Sequence, residues 1–251
     1  MASKSKTLAG KVAIITGCNR GIGAALMAAF AAQGATVIAA ARRDSIEFQQ
    51  QITMLTDEFG CAINPIFFDV ADESAVKEAL RAVLADLPHI DILVNNAGVA
   101  HGGLLSMTPL SQVREVFQVN YFGLLAVTQV VSRKMMRQRS GVIVNVSSVA
   151  GLDPNPGNCA YGASKAAVAY VTGVLAKELA AYNIRVNAVA PGLVATDMAD
   201  AMERNARAQM VSSSAMRRLG VPSEIAGAVL YLCSENASFV SGQVIRIDGG
   251  M

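Results

Sequence analysis

The stretch VAIITGCNRGIG at residues 12–23 decides the fold. Its first five residues are apolar or β-branched and predict a buried strand, and glycines at 17, 21 and 23 predict a tight turn into a helix. Such a turn lets the main chain approach a pyrophosphate, whose charge the amino end of the helix favours. Because the spacing Gly-xxx-Gly-x-Gly is not the commoner Gly-x-Gly-x-x-Gly, a turn without a ligand remains the alternative on this motif alone.

Short apolar runs alternate with longer helical patterns along the rest of the chain. The runs are continuously apolar, which is typical of strands covered by helices on both faces. Strand, crossover helix and strand in repeated order predict one Rossmann-like α/β fold, a doubly wound parallel sheet of about seven strands. We expect strands at 12–16, 36–41, 64–68, 90–94, 142–146, 184–190 and 244–247, and helices at 21–33, 45–59, 72–87, 109–139, 161–182 and 222–232. Asp72 and Thr108 are the expected N-caps of two of these helices.

The pattern predicts a single domain over residues 1–251. Residues 1–6 are polar and predict a flexible tail. The segment 192–220 is too long for an ordinary connection between strand and helix, so we predict that it forms a substrate-binding lid. Four methionines in it could repack around apolar ligands of varied length, although methionine at helical spacing more often serves simple packing; they are Met198, Met202, Met210 and Met216.

The composition excludes several classes of protein. Of the 251 residues 53% are hydrophobic, which excludes a disordered chain, and 21 basic residues against 19 acidic ones argue against a nucleic-acid binder. No stretch suits a signal peptide or a membrane span, so we expect no membrane partner. Four scattered cysteines are typical of a reduced cytoplasmic protein, and with only two histidines we expect no metal site.

The end of the second strand bears on the choice of cofactor. Many NAD-binding folds place an acidic residue there to bind the ribose hydroxyls. Here the strand ends in Ala41 and is followed by Arg42 and Arg43, and Arg20 could reach the same phosphate. Two guanidinium groups suit a 2′-phosphate, so we predict NADP, with NAD less favoured. The alternative is that Arg42 and Arg43 form a solvated edge, with Asp44 as a local counter-charge.

Tyr161 and Lys165 lie four residues apart at the start of a predicted helix, so both side chains project from one face. A phenol ionises near pH ~10 in water, and a neighbouring ammonium group favours the phenolate. Tyr161 could therefore act as a general acid or base near neutral pH. A surface tyrosine beside a lysine is the alternative. However, Ser148 follows the fifth strand and the NNAG stretch at 95–98 ends the fourth, where open α/β sheets bind ligands.

With these motifs the chain resembles the short-chain dehydrogenase/reductase family. The stretches 16–23, 95–98, 161–165 and 191–192, together with Ser148, fall in the family's order and approximate spacing. The resemblance runs from Lys11 to the IDGG stretch at 247–250. It implies an NAD(P)-dependent oxidoreductase.

The resemblance also implies roles for single residues. Tyr161 would exchange a proton with the substrate oxygen while the nicotinamide transfers hydride. Lys165 would lower the pKa of Tyr161 and hold the nicotinamide ribose, Ser148 would orient the carbonyl, and Asn120 would anchor a water that leads to Lys165. The cofactor would be held by Gly17, Asn19, Arg20, Gly21, Ile22, Gly23, Arg42, Asp69, Val70, Asn95, Ala97, Gly98, Tyr161, Lys165, Pro191, Gly192, Val194 and Thr196.

Within the family, the stretches 191–198 and 218–226 look most like 3-oxoacyl-[acyl-carrier-protein] reductases. The resemblance implies NADPH-dependent reduction of a 3-oxoacyl thioester, on carrier protein or coenzyme A, in fatty acid biosynthesis. Arg133 and Lys177 match basic residues that dock the acidic carrier in such enzymes, with Lys134, Arg137 and Arg139 nearby. An ordinary solvated face explains these charges equally well.

Two further possibilities stay open. The same catalytic residues act on sugars, polyols and other secondary alcohols, because they recognise only a carbonyl and a hydride donor. A catalytically silent NADP-binding scaffold or regulator is the alternative from another class, and a pure binder would not need Tyr161 and Lys165. The resemblance also implies a homotetramer built from the helices at 109–139 and 161–182 and the last strand.

Overall fold

The computed structural model describes residues 6–200 and 204–251. Their strands are β1 Val12–Thr16, β2 Thr36–Ala41, β3 Ile63–Phe67, β4 Ile92–Asn95, β5 Gly141–Val146, β6 Ile184–Pro191 and β7 Val244–Ile247. The strands pair in parallel in the order β3-β2-β1-β4-β5-β6-β7. This order confirms the predicted Rossmann-like α/β fold.

Helices cover both faces of this sheet. They are α1 Gly21–Ala32, α2 Ile46–Phe59, α3 Glu73–Asp86, α4 Leu110–Phe117, α5 Leu124–Gln138, α6 Cys159–Leu179, α7 Asp197–Asp200, α8 Arg204–Ser213 and α9 Pro222–Cys233. Ala13 and Ile15 of β1 join a core with α1, α2 and α9, whereas Val12 and Ile14 join a core with α3, α5 and α6. Alternate residues of one strand therefore serve two cores, which explains why the strands are continuously apolar.

Two of the expected helix starts can be compared with the structure. Asp72 caps α3 as predicted, since its Oδ1 accepts hydrogen bonds from the main-chain nitrogens of Ser74 at 2.9 Å and Ala75 at 3.0 Å. The prediction for Thr108 is wrong. Pro109 occupies the N-cap position of α4, and the Thr108 hydroxyl instead donates to the carbonyl of Leu104 at 3.0 Å, within the preceding turn.

The prediction of one continuous helix at 109–139 is wrong, because the structure interrupts it in the middle. A π-helical segment, Gln118–Gly123, separates α4 from α5. The added residue in a π turn does not disturb the apolar pattern enough to show in the sequence, and such turns are frequent at functional sites. The segment contains Asn120, one of the predicted catalytic residues, and Asn120 is buried there.

The segment 192–220 contains α7 and α8, and its two ends lie together. Val194 pairs with Gly220 as an isolated bridge, and the main-chain nitrogen of Ala195 donates to the carbonyl of Gly220 at 2.9 Å. Met202 and residues 1–5 lie outside the described residues, so the predicted lid and tail are described only in part. Lys6 donates to the carbonyl of Phe59 at 3.0 Å.

In the part of the chain that the structure describes, no helix is long and apolar enough to cross a membrane.

The winding of the sheet locates the site. β1 and β4 are neighbours, and the strands that follow each of them extend the sheet in opposite directions. Open sheets bind ligands at such a reversal, beyond the carboxyl ends of the strands. Thr16 ends β1 and Asn95 ends β4, so the glycine turn and the 95–98 stretch meet at this crevice.

Candidate active site

The glycine turn after β1 is shaped to receive a group against its main chain. Gly17 has a left-handed φ of +73°, and a Cβ there would lie 3.0 Å from the Cα of Ala97. A Cβ at Gly23 would overlap the carbonyl oxygen of Gly17. No side chain caps the start of α1, whose N-cap residue is Arg20, and its first turn holds no acidic residue. The turn therefore fits the pyrophosphate of a dinucleotide, because main-chain N–H groups at a helix start attract anions.

Asn96 holds this turn against the end of β4. Its Nδ2 donates to the carbonyl of Thr16 at 2.9 Å and to that of Gly17 at 3.2 Å. The Thr16 hydroxyl in turn accepts from the main-chain nitrogens of Asn96 and Ala97, both at 3.0 Å. The sequence reasoning named its neighbours and missed Asn96 as a site residue. The sequence did offer a sign of this role. Side chains alternate along a strand, so those of residues 95 and 96 must point to opposite faces.

The side chain of Asn95 points away from the crevice. Its Nδ2 donates at 2.9 Å both to the Thr128 hydroxyl and to Oδ1 of Asn145 on the adjacent strand. Asn95 is buried at 4% exposure. Any contact of Asn95 with a cofactor would therefore come from its main chain, while its side chain joins β4 to β5.

Arg20 and Arg42, the two arginines expected to bind one phosphate, differ in their contacts: Arg20 pairs with a carboxylate, and Arg42 is exposed. Arg42 is exposed just past β2. Nη1 of Arg20 lies 3.2 Å from Oδ2 of Asp197, at the start of α7, and both side chains are more than two-thirds exposed. Asp44 accepts from Gln49 at 2.8 Å. Because the Arg20 pair is open to solvent, it is weak, and a phosphate could displace Asp197 from Arg20.

The predicted catalytic residues converge beside the crevice. Ser148 follows β5, and Tyr161 lies in the first turn of α6 with Lys165 one turn later. Nζ of Lys165 donates to the carbonyl of Val146 at 2.8 Å and lies 5.9 Å from the centre of the Tyr161 ring. A Cβ at Gly98 would lie 3.3 Å from this Nζ, so the turn after β4 approaches the same amine.

Burial controls the ionisation of this pair. Burial raises the pKa of Tyr161 above its usual value, and a hydrogen bond with Ser148 opposes the rise. Burial also lowers the pKa of Lys165 from its usual 10.5 to about 8. The raised pKa of Tyr161 is opposite in direction to the lowering expected from Lys165. Desolvation of the phenolate is the largest cause, and the hydrogen bond with Ser148 does not offset it, so Tyr161 stays a protonated phenol at neutral pH, the form that donates a proton.

Comparison with known proteins places this geometry in a family. A family model described as Enoyl-(Acyl carrier protein) reductase matches residues 17–251. The chain belongs to the short-chain dehydrogenase/reductase family. A 3-oxoacyl-[acyl-carrier-protein] reductase from Thermotoga maritima is 43% identical over 246 residues, which cover 97% of this chain and 98% of that protein. The chain is therefore an oxidoreductase homologous to this reductase.

Solved structures of differently named enzymes share this family fold. A 3-oxoacyl-[acyl-carrier protein] reductase from Brucella melitensis is 33% identical with a TM-score of 0.88, over 98% of this chain and 92% of that chain. A putative gluconate dehydrogenase from Agrobacterium tumefaciens is 27% identical with a TM-score of 0.93, over 99% and 98%. The fold alone therefore does not separate thioester from sugar substrates.

Within this family architecture, the side chain of Asn120 makes three hydrogen bonds. Its Oδ1 accepts from the main-chain nitrogen of Val99 at 2.8 Å, and its Nδ2 donates to the carbonyl of Val99 at 2.9 Å and to the Ser164 hydroxyl at 3.0 Å. Because an amide oxygen can accept two hydrogen bonds, Oδ1 could also accept one from a water beside Lys165. The side chain of Asn120 holds the loop after β4 against α6.

The remaining residues expected to hold a cofactor line the same edge. Asp69 accepts from the main-chain nitrogen of Ala71 at 2.9 Å, and a Cβ at Gly123 would lie 2.6 Å from the carbonyl oxygen of Val70. A Cβ at Gly21 would lie 3.2 Å from Cγ2 of Thr196, so Thr196 lies over the glycine turn. Asn19 is exposed in the turn, and Ile22, Pro191, Gly192 and Val194 pack at its base or at the end of β6.

Proposed function

We propose that the protein reduces a 3-oxoacyl thioester, carried on acyl carrier protein or coenzyme A, to the 3-hydroxyacyl product with NADPH. The observation that carries this proposal is the convergence of Ser148, Tyr161 and Lys165 beside the glycine turn, in a chain 43% identical to a protein named as such a reductase. The intact set argues against a silent scaffold, since a pure binder needs no proton donor.

The chain's own residues divide the chemistry between orientation and proton transfer. When bound in the crevice, the dinucleotide supplies the hydride. The Ser148 hydroxyl orients the substrate carbonyl, and the Tyr161 phenol donates its proton to the carbonyl oxygen. Lys165, in its ammonium form, stabilises the phenolate that remains. Gly17, Gly23 and Thr196 would hold the dinucleotide at the glycine turn, and Tyr161 and Lys165 would act on the substrate that it reduces.

A substrate panel tests this function. We expect NADPH oxidation with acetoacetyl thioesters, on carrier protein and on coenzyme A, to be far faster than with ketoses and cyclic ketones. The structural likeness to a putative gluconate dehydrogenase makes a ketose or sugar acid the second candidate. A preference for those substrates would overturn the thioester assignment, and NADPH binding without turnover of any carbonyl would favour the scaffold.

The rate of reduction should fall on the alkaline side. Because burial lowers the pKa of Lys165 to about 8, its ammonium form is present below that pH and is lost as pH rises through it. The raised pKa of Tyr161 keeps the phenol protonated over the same interval. The pH dependence of kcat should therefore show a descending limb near pH 8. A kcat that stays constant from about pH 7 to about pH 9.5 would contradict a role for the Lys165 charge.

Arg42 is proposed to select NADPH by binding its 2′-phosphate. The Arg42→Ala variant should lose roughly 10–100-fold in kcat/KM with NADPH, the range for one or two hydrogen bonds to a charged group, and change little with NADH. Arg43→Ala, an exposed neighbour, is the matched control. Preference of the wild type for NADH, or unchanged discrimination in Arg42→Ala, would show that Arg42 does not read the phosphate.

Arg133 and Lys177 are proposed to dock the acidic carrier protein. Both are exposed, and Arg133 lies on a cavity of about 570 Å³ that is also lined by Arg81 and Arg137. Lys134 donates to the carbonyls of Leu84 and Leu87 at the end of α3 and so has a structural use. Charge reversal to Glu at Arg133 and Lys177 should lower kcat/KM for carrier-linked substrate by roughly tenfold or more, because attraction between opposite charges speeds encounter. Coenzyme A thioesters are the control, and equal loss on both substrates would contradict docking.

The assembly and location follow from the same proposal. We propose a homotetramer, supported by exposed Phe122 and Tyr170 on the helical region expected to form the interface, and by β7 at the edge of the sheet. We also propose a cytoplasmic location and a lid over 192–220 that closes on substrate. Sedimentation of the purified protein would measure the assembly.

A further inference from the structure

Arg246 on β7 is the centre of a hydrogen-bonded group that joins Asp153, in the loop after Ser148, to the segment 248–251. Its Nη1 and Nη2 lie 3.1 Å and 2.6 Å from Oδ1 and Oδ2 of Asp153. Its Nε donates to Oδ2 of Asp248 at 2.7 Å, and Nη2 also donates to the carbonyl of Met251 at 2.9 Å. All three guanidinium nitrogens are therefore engaged, and the two carboxylates raise the pKa of Arg246, the hydrogen bond with Asp153 contributing most.

Asp153 belongs to the loop that joins two of the proposed catalytic residues. It follows the short helical turn Val149–Gly151, directly after Ser148, and precedes α6, which carries Tyr161. The loop lies against the catalytic helix, since a Cβ at Gly151 would lie 2.5 Å from the carbonyl carbon of Lys165. A displacement of Asp153 would therefore move the main chain that joins Ser148 to the helix of Tyr161.

The segment 248–251 connects the same arginine to the two ends of the proposed lid. A Cβ at Gly192, where the lid begins, would lie 2.8 Å from the Cα of Asp248. Towards the other end of the lid, the Ser214 hydroxyl donates to the carbonyl of Gly249 at 2.9 Å, and the main-chain nitrogen of Met216 donates to it at 3.0 Å. Arg246 therefore contacts the loop at Asp153 and the segment 248–251, and that segment in turn contacts the chain at residues 192, 214 and 216.

Because the Arg246–Asp153 pair is partly exposed, we infer that it orients the two segments rather than stabilising the fold. The side chains of Arg246 and Asp153 are 36% and 50% exposed, and solvent weakens the contribution of such pairs to stability. A two-pronged guanidinium–carboxylate contact, however, fixes orientation as well as distance, which a single lysine contact does not.

We propose that Arg246 is a positioning residue that sets the spacing between the Ser148–Tyr161 loop and the lid, through Asp153 and the segment 248–251, and so determines the affinity for the carbonyl substrate. The proposal rests on the proposed thioester reduction. Arg246 touches neither the reacting atoms nor the glycine turn, so its effect should fall on substrate binding and spare NADPH.

Steady-state kinetics of Arg246→Gln, Asp153→Asn and the double variant test the proposal. We expect KM for the 3-oxoacyl thioester to rise about tenfold in each, with KM for NADPH within about twofold of wild type, because small displacements around a site are costly. The double variant should be no worse than either single one, since both remove the same contact. Arg246→Lys should retain most of the defect. Lys11→Gln, which breaks the ion pair with Asp91 at the opposite end of the strands, is the matched control.

Hydrogen–deuterium exchange gives a second readout that needs no substrate. Main-chain amides at 149–158 and 214–216 should exchange faster in Arg246→Gln than in wild type or Lys11→Gln. Additive kinetic effects of the two single changes, a lower Tm with unchanged KM, or wild-type exchange in these segments would each overturn the proposal. If the wild type reduces no thioester, the proposed function fails, while the exchange experiment still decides whether Arg246 holds these segments together.

Discussion

Tyr161→Phe is expected to lower kcat for carbonyl reduction by roughly 10²–10⁴-fold, the range that a positioned general acid contributes. The change removes only the hydroxyl, whose pKa burial raises and which is therefore protonated when substrate binds. The ring stays in the first turn of α6, near the Lys165 amine. The Kd for NADPH should consequently change by less than about threefold, since one hydrogen bond is lost at most. Stopped-flow hydride transfer and fluorescence titration measure the two quantities.

Tyr170→Phe is the matched control for this loss. Tyr170 lies on the same helix, its side chain is 78% exposed in the single chain, and it is not one of the proposed catalytic or cofactor-binding residues, so removal of its hydroxyl should leave kcat within about twofold of wild type. If Tyr161→Phe kept wild-type turnover, proton donation by this phenol would be excluded, whatever the substrate. A loss shared by both variants would point to damage to α6 rather than to lost chemistry.

The sheet and its crevice were predictable because their signals are local and repeated. Continuous apolar runs such as Val12–Thr16 mark strands buried on both faces, and glycines directly after one of them mark a turn at a helix start. The order of these elements fixes the winding, and the winding places the ends of β1, β4 and β5 together. Ser148, Tyr161 and Lys165 were therefore brought to one place by topology.

What the sequence did not predict depends on contacts between distant parts of the chain. The π-helical segment around Asn120 is stabilised by neighbours such as Val70, which packs against Gly123. Arg20 bonds to Asp197, 177 residues away, and no periodic pattern records such a pair. The pKa of Tyr161 is raised by burial, whereas its spacing to Lys165 in the sequence predicted a lowered pKa from the nearby positive charge. Side-chain direction and desolvation thus required the folded structure.

Gly23→Ala is expected to raise the Kd for NADPH by roughly 100-fold and to lower the free energy of unfolding by about 1–3 kcal/mol, the usual cost of overpacking. The added methyl group would overlap the carbonyl oxygen of Gly17 and meet Nδ2 of Asn96 at 2.7 Å. Since Asn96 also bonds Gly17 and Thr16, the whole turn must move away from the start of α1. The main-chain N–H groups proposed to hold the pyrophosphate would then point elsewhere.

Gly173→Ala separates this effect from the general cost of replacing glycine. Gly173 lies in α6, and a Cβ there meets no atom of the described residues within 4 Å. Alanine should therefore stabilise the helix by about 0.5–1 kcal/mol and leave NADPH binding unchanged. Calorimetric titration of both variants, each checked for a cooperative thermal transition, makes the comparison. Wild-type NADPH affinity in a folded Gly23→Ala protein would contradict phosphate binding at this turn, because the added methyl group must displace the carbonyl of Gly17.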